Sequence, residues 1–503
     1  MSALKHDINF RFRISEYFVF KSKSEIRKMM IQKCGKYLML IGGGTVIPQL
    51  AFAHAGHRGY VMLLPTELFM VGGAVVVALT FAAMIFVTRK STSGKFLISE
   101  TSDIEIQPKF WASLLSLLML LLLVWIGFTG NRDPMKNLLT MTVWVFWWIG
   151  LTMATAVFGN IWGIVSPWPA LLKLLSKFQK ISIFTKRSLE NSKSLAYWPA
   201  TLLFFGFAWL ELIHPSPMDP EVLAKYILLY LFITTLGIIL FGGKSWLKMG
   251  EPFTVFFRMV GWLSPIYWKS SVEKNEEFTQ QISIRWPCAG LLRPESLPTG
   301  GVAFVLLVLS TVSFDGLSKT FWWLSIVGIN PLEFPGRTAM ILPNTLGLCS
   351  TFLLFLVVFY ATQGLASRLN QEVQQTSSFI YSMIPIAFGY HFAHYLPTFL
   401  VDIQYAFIAL SDPFGVGWNL FGTAEWTVTS SYLTNYDSVV LIWLLQVLSI
   451  VLAHVGAVIV SHLLHLHESE SLQKSMMGQV PATLLMIGYT VFGLWLLSTP
   501  VVS

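Results

Sequence analysis

Two histidines one helical turn apart interrupt a long apolar run in Gly389-Tyr390-His391-Phe392-Ala393-His394-Tyr395. At i, i+3 spacing they share one face of a helix. His454 interrupts the next apolar run, with His462 further along it. Consecutive runs joined by one loop are antiparallel neighbours, so heights can be compared at a rise of about 1.5 Å per residue. His391 and His394 then stand about 18 and 22 Å above the inner end of their helix, His454 about 15 Å and His462 only about 3 Å. On this reckoning His391, His394 and His454 can meet, while His462, His465 and His467 belong to the inner surface. Three converging imidazoles suit copper, zinc or iron, and two from opposed helices suit bis-histidine haem b. A single intramembrane histidine serves equally well as a neutral helix–helix hydrogen bond.

Carboxylates form a second set. Glu67 lies about a turn and a half into the first apolar run, Glu211 and His214 close the fourth, and Asp315 closes the sixth in Phe314-Asp315-Gly316. Asp402 and Gln404 follow the eighth. An ionisable group inside a span is costly and marks function by default. A carboxylate and imidazole rim suits metal binding or acid–base chemistry, with Glu67, Glu211 and Asp315 as the acids. Helix-end capping and dipole compensation use the same residue types at the same places.

The elements that must carry these groups are membrane helices. Apolar residues make up 54% of the chain and charged residues 12%, against about 25% charged in soluble domains. The apolar residues fall in runs that match a bilayer core, where the backbone must satisfy itself as helix. The alternation of a β-barrel is missing. The expected fold is an all-α polytopic bundle of about ten spans: 61–88, 110–128, 137–158, 196–214, 223–242, 300–318, 341–366, 379–400, 439–464 and 480–498. Basic residues concentrate in alternate loops, nineteen on one side against five on the other. This asymmetry accounts for the net charge of +8 without nucleic acid and places both mature termini in the periplasm of a bacterial inner membrane.

Residues 1–53 read as a basic leader followed by a signal-peptide-like segment, with a start at Met29 or Met30 and a small-x-small site at Ala51-Phe52-Ala53. An uncleaved first helix is the alternative. Cleavage after Ala53 would leave His54-Ala55-Gly56-His57 at the terminus, where the amine and imidazole of His54 with His57 form a nitrogen set for copper or zinc. Residues 54–503 form a single transmembrane domain. Segments near 159–195 and 243–298 mix Leu, Phe and Trp with Lys and Arg, as interfacial helices do. The loop near 401–438, rich in aromatics, Gly and Asp, reads as a structured outer lid. Cys34, Cys288 and Cys349 form neither a disulfide framework nor a CxxC site. Phosphate-binding loops, GxSxG, HExxH and dinucleotide fingerprints are lacking in the sequence, which argues against nucleotide-driven chemistry.

Several stretches in order resemble a bacterial multi-span membrane family known as fenitrothion hydrolase or its subunit. They are Ala53-His54-Ala55-Gly56-His57, Phe207-Ala208-Trp209-Leu210-Glu211, Val312-Ser313-Phe314-Asp315-Gly316, Asn330-Pro331-Leu332-Glu333-Phe334-Pro335-Gly336-Arg337, Gly389 to Tyr395, Ser411-Asp412-Pro413-Phe414-Gly415 and Ala453-His454. The resemblance implies an inner-membrane hydrolase of organophosphorus esters acting with a partner membrane subunit. Three readings follow: a metal- or haem-dependent membrane enzyme, a transporter or channel with proton-relay histidines, and a structural or metal-delivery subunit of a membrane complex.

Overall fold

The computed structural model describes residues 66–89, 110–177, 189–192, 194–272, 278–293, 296–330, 336–370, 378–468 and 472–499. The leader, with His54 and His57, lies outside the described residues. Apolar runs become helices because lipid offers their amides no other partner. In chain order these are α1 (Thr66–Arg89), α2 (Phe110–Thr129), α3 (Leu138–Phe158), the short α4 (Trp162–Val165), α5 (Trp168–Ser176), α6 (Trp198–Leu212) and α7 (Pro220–Phe241). There follow α8 (Gly243–Met249), α9 (Pro252–Gly261), α10 (Thr299–Ser318), α11 (Phe321–Ile326), α12 (Ile341–Asn370), α13 (Ser378–Tyr381), α14 (Met383–Ser411), α15 (Tyr436–Glu468) and α16 (Leu472–Ser498).

Among the described residues, eight helices are long and apolar enough to cross a membrane: α1, α2, α3, α7, α10, α12, α15 and α16. The chain is a multi-pass membrane protein with an all-α bundle. The other two expected spans correspond to α6 and α14. α6 is apolar but only 15 residues long. α14 has 29 residues, and it carries His391, His394, Asp402 and Gln404, whose polarity removes it from the strongly apolar class. It also runs on to Ser411, so the first turns of the expected outer loop are helical.

A second departure lies between α9 and α10. Helices α8 and α9 occupy the first part of the expected interfacial segment. Ile266–Val272 (β1) and Phe278–Ile284 (β2) then pair as an antiparallel hairpin, Ile266 opposite Ile284. The β-branched and aromatic residues of Ile266-Tyr267-Trp268 and Ile282-Ser283-Ile284 favour strands, a preference that short polar surroundings let through.

α10 is buried along nearly its whole length. It packs against α6, α12 and α14, while α14 packs along α15 and α16 bridges α15, α12 and α1. Leucines such as Leu118, Leu202, Leu353 and Leu452 face outward, where acyl chains replace water. Two close approaches rely on glycine. A Cβ on Gly389 would stand 2.5 Å from the Ala453 Cβ and 3.0 Å from the Ser449 carbonyl, so only glycine permits this α14–α15 crossing. A Cβ on Gly493 would overlap the Tyr390 hydroxyl, which donates to the Tyr489 carbonyl at 2.8 Å.

The middle of α3, Thr142–Leu151, is π-helical, a form often found at functional sites. It presents Trp147 and Trp148 to an aromatic cluster. Trp147 meets Phe253 edge-on at 4.4 Å and Trp148 meets Phe207 at 4.7 Å. The loop after α14 is tied down by its own polar groups. Asp412 accepts from the amides of Val416 (3.0 Å) and Gly417 (2.8 Å), and Gln404 binds Thr429 through both backbone groups.

Candidate active site

Three helices bring one connected set of polar side chains together inside the bundle: Glu211 from the last turn of α6, Asp315 from the last turn of α10, and His394 with Tyr395 from the middle of α14. The backbone places the α14 pair by a specific local device. Pro397 has no N–H, so the Ala393 carbonyl loses its helical donor. Gln446 of α15 supplies the missing donor, its Nε2 lying 2.6 Å from that carbonyl. The helix is thus locked to α15 at the residue preceding His394.

His394 Nε2 lies 2.6 Å from Asp315 Oδ2, and Lys319 Nζ lies 3.0 Å from Asp315 Oδ1. Asp315 is 3% exposed, so both of its oxygens are satisfied by cationic or N–H donors rather than by solvent. The Asp315 carboxylate beside it holds the Lys319 ammonium above its ordinary range. The Tyr395 hydroxyl donates to Glu211 Oε1 at 2.5 Å and stands 3.3 Å from Asp315 Oδ2. Trp148 of the π-helical stretch donates its indole N–H to the same Glu211 oxygen at 2.7 Å. Glu211 Oε2 is buried without a partner among the described residues. Arg337 closes the cluster at its edge, donating to the carbonyls of Glu211 (3.1 Å) and His214 (3.2 Å). Lys319 and the His394 ring remain partly exposed, so the network has a mouth.

The contact orients the ring. In the neutral imidazole with Nε2–H donating to the carboxylate, the lone pair is on Nδ1. Nδ1 has no hydrogen-bond partner among the described residues. An oriented imidazole with a free basic nitrogen, at the open edge of a buried carboxylate pair, is equipped to take a proton from water.

The other expected site residues lie elsewhere or act differently. His391 sits one turn before Tyr395, buried edge-on against Trp148 at 5.1 Å, with Nε2 unpartnered among the described residues. It lines a small apolar cavity of about 40 Å³ with Phe204, Phe256 and Phe304. His454 does not join it. Its Nδ1 bonds the Ile450 carbonyl of its own helix at 2.8 Å, and its ring packs between Tyr390 and Tyr489. The reason is angular: heights along neighbouring helices match, but α15 turns His454 toward α16 rather than toward the Trp148 side of α14. Among the described residues no three of His, Cys, Asp and Glu stand where they hold one ion together, so His391, His394 and His454 do not converge on one metal position.

His214 accepts from the Ser216 amide at 3.1 Å and packs on Trp209 and Tyr226, a turn-forming role. Glu67 is exposed in the first turn of α1. α1 packs on α15 and α16, away from the helices of this cluster. Burial pushes the Cys288 thiol up to about 11, which leaves it a packing residue. Sequence reasoning missed Tyr395, Trp148, Lys319 and Arg337 as members of the cluster. Tyr395 had a signal, since it adjoins His394, and Lys319 lies one helical turn after Asp315. Nothing in the order of residues points to Trp148.

Fold and cluster together define a multi-pass helical membrane protein with a buried acid–base network near one end of its bundle. No protein-family model, no curated protein and no solved structure matches the chain.

Proposed function

We propose that the chain is an integral-membrane hydrolase of apolar organophosphorus esters, with His394 as general base. The observation that carries this reading is the His394–Asp315 contact at 2.6 Å, which leaves Nδ1 free at the mouth of a network that is otherwise internally bonded. The order of sequence stretches that resemble the fenitrothion hydrolase family supports the substrate class. The charge asymmetry of the loops turns the mouth toward the periplasm, where an apolar ester partitions between water and lipid.

In this reading Nδ1 of His394 accepts a proton from water as the oxygen attacks phosphorus. The phosphorus–oxygen bond to the aryl group breaks and the phenolate leaves. The products are the dialkyl phosphate or thiophosphate and the phenol, and His394 returns its proton to solvent. Asp315 orients the imidazole and stabilises its protonated form. Lys319 stabilises the negative charge that develops on the phosphoryl oxygen or sulfur. Tyr395 and Trp148 hold Glu211 in place beneath this pair.

The test is turnover of a dialkyl nitrophenyl thiophosphate by the full-length protein in nanodiscs. His394→Gln, which keeps a polar side chain but no base, is expected to lower kcat by about a hundredfold or more. A His394→Gln protein that turns over as the wild type does, or a wild type without activity on any such ester, overturns the reading.

A further inference from the structure

We infer that a second, larger cavity in the bundle is a binding site for one anionic glycerophospholipid, entered sideways from the bilayer. The cavity lies among α2, α3, α6 and α7 and has a volume of about 560 Å³, within the roughly 300–1,000 Å³ typical of ligand pockets. It is separate from the acid–base cluster, sharing none of Glu211, Asp315, His394 or Tyr395.

The walls show what enters and from where. Leu115, Met119, Leu202 and Leu229 line the cavity and are also exposed on the outer surface of the bundle. Residues with both properties mark an opening to the acyl chains of the membrane, so the cavity suits an acyl chain. Three indoles of the lining come from α3, α4 and α5: Trp147, Trp162 and Trp168. The indole nitrogen of each is buried and has no hydrogen-bond partner among the described residues. Trp168 is 1% exposed, so water does not reach it from the surface. An unpaired buried donor is costly, and three in one lining call for uncharged acceptors. The ester carbonyls of a glycerolipid are such acceptors, placed between its chains and its headgroup.

The charge around these indoles selects the headgroup. Trp168 begins α5, whose next turns carry Lys173 and then Lys177 at its end. Lys177 is exposed, Lys173 lies over the Phe110 ring at 4.1 Å, and residues 162–177 contain no acidic side chain; the nearby Glu251 is buried and already committed to Tyr230, Thr254 and the Phe253 and Thr254 amides. An amphipathic helix with lysines on its polar side lies at the headgroup level and attracts anionic lipid. One phospholipid thus places its chain among the leucines, its esters at the indoles and its phosphate by α5.

Native mass spectrometry of the full-length protein, released from nanodiscs of equal phosphatidylglycerol and phosphatidylcholine, tests this. One retained phospholipid per chain is expected, with phosphatidylglycerol favoured about fivefold or more, the effect of one charge-assisted contact. Gly206 lines the cavity, and a Cβ there meets nothing within 4 Å, so Gly206→Leu fills the space and displaces the lipid. Trp162→Phe with Trp168→Phe keeps the rings and removes two donors, lowering retention by about fivefold or more. That double variant also decides the matter should Gly206→Leu fail to fold. Equal retention of the two lipids, detergent only in the wild type, or retention unchanged in a folded Gly206→Leu or Trp162→Phe/Trp168→Phe protein overturns the inference.

Discussion

The bundle holds two sets of buried polar groups that look alike in sequence and differ in what they bind. Around Asp315, the polar side chains bond across helices: His394 and Tyr395 of α14, Glu211 of α6 and Trp148 of α3 are linked to one another or to Asp315 of α10. Along α15 two histidines turn back on their own helix. His454 bonds the Ile450 carbonyl and His465 the Ser461 carbonyl, each four residues earlier, whereas His462 reaches across to Gln479 of α16 at 2.7 Å. A back-bonded histidine satisfies one ring nitrogen locally and packs like an aromatic residue. A cross-helix network commits several groups at once, so its members depend on one another. The contrast separates histidines bonded within their own helix from one that joins side chains of three helices.

This comparison can be broken by mutation. Asp315→Asn removes the charge that His394 and Lys319 share. It is expected to destabilise the protein by about 1.5–3 kcal/mol, read as a lower thermal midpoint in detergent, and to abolish turnover along with it. Asp315→Asn with wild-type stability would mean the network is not coupled. Tyr395→Phe keeps the ring against His391 and His394 but takes away the donor to Glu211. A loss of about 1 kcal/mol is expected, and stability changes should be non-additive with Trp148→Phe because both donors serve one oxygen. Additive effects in a double-mutant cycle would deny the shared role. The smallest effect is expected at His454. Met in its place removes a back-bond together with an unpartnered Nε2, so stability should stay within about 1 kcal/mol of wild type and ester turnover should not change. Loss of turnover in His454→Met would place α15 in the mechanism and dissolve the distinction between the two sets.

The site was legible in the sequence only in part. Glu211, Asp315 and His394 stand out because ionisable groups are costly in an apolar run, and the structure gathers all three. His391 stands out for the same reason, yet it faces an aromatic cavity one turn away. Equal height put His454 beside them, but height along an axis carries no information about the direction in which each helix faces its neighbours. Glu67 and His214 were conspicuous by residue type, and the fold leaves one on the surface and one in a turn. Trp148 was invisible because a tryptophan in an apolar run is usual, and its role depends on the π-helical stretch that turns it toward Glu211.

What the sequence determined by itself is the class of molecule. Long apolar runs in lipid have one way to satisfy their amides, so a multi-pass helical bundle follows from composition and run length alone. The break in α14 also follows locally, because Pro397 cannot donate. Tertiary structure decided which side chain repairs that break, which polar groups meet and which turn back on their own helix. It decided as well that three indoles line an open cavity. Those outcomes depend on helix rotation and crossing, set by close contacts such as Gly389 on Ala453 and by packing summed over the whole bundle. No local stretch of sequence contains that sum.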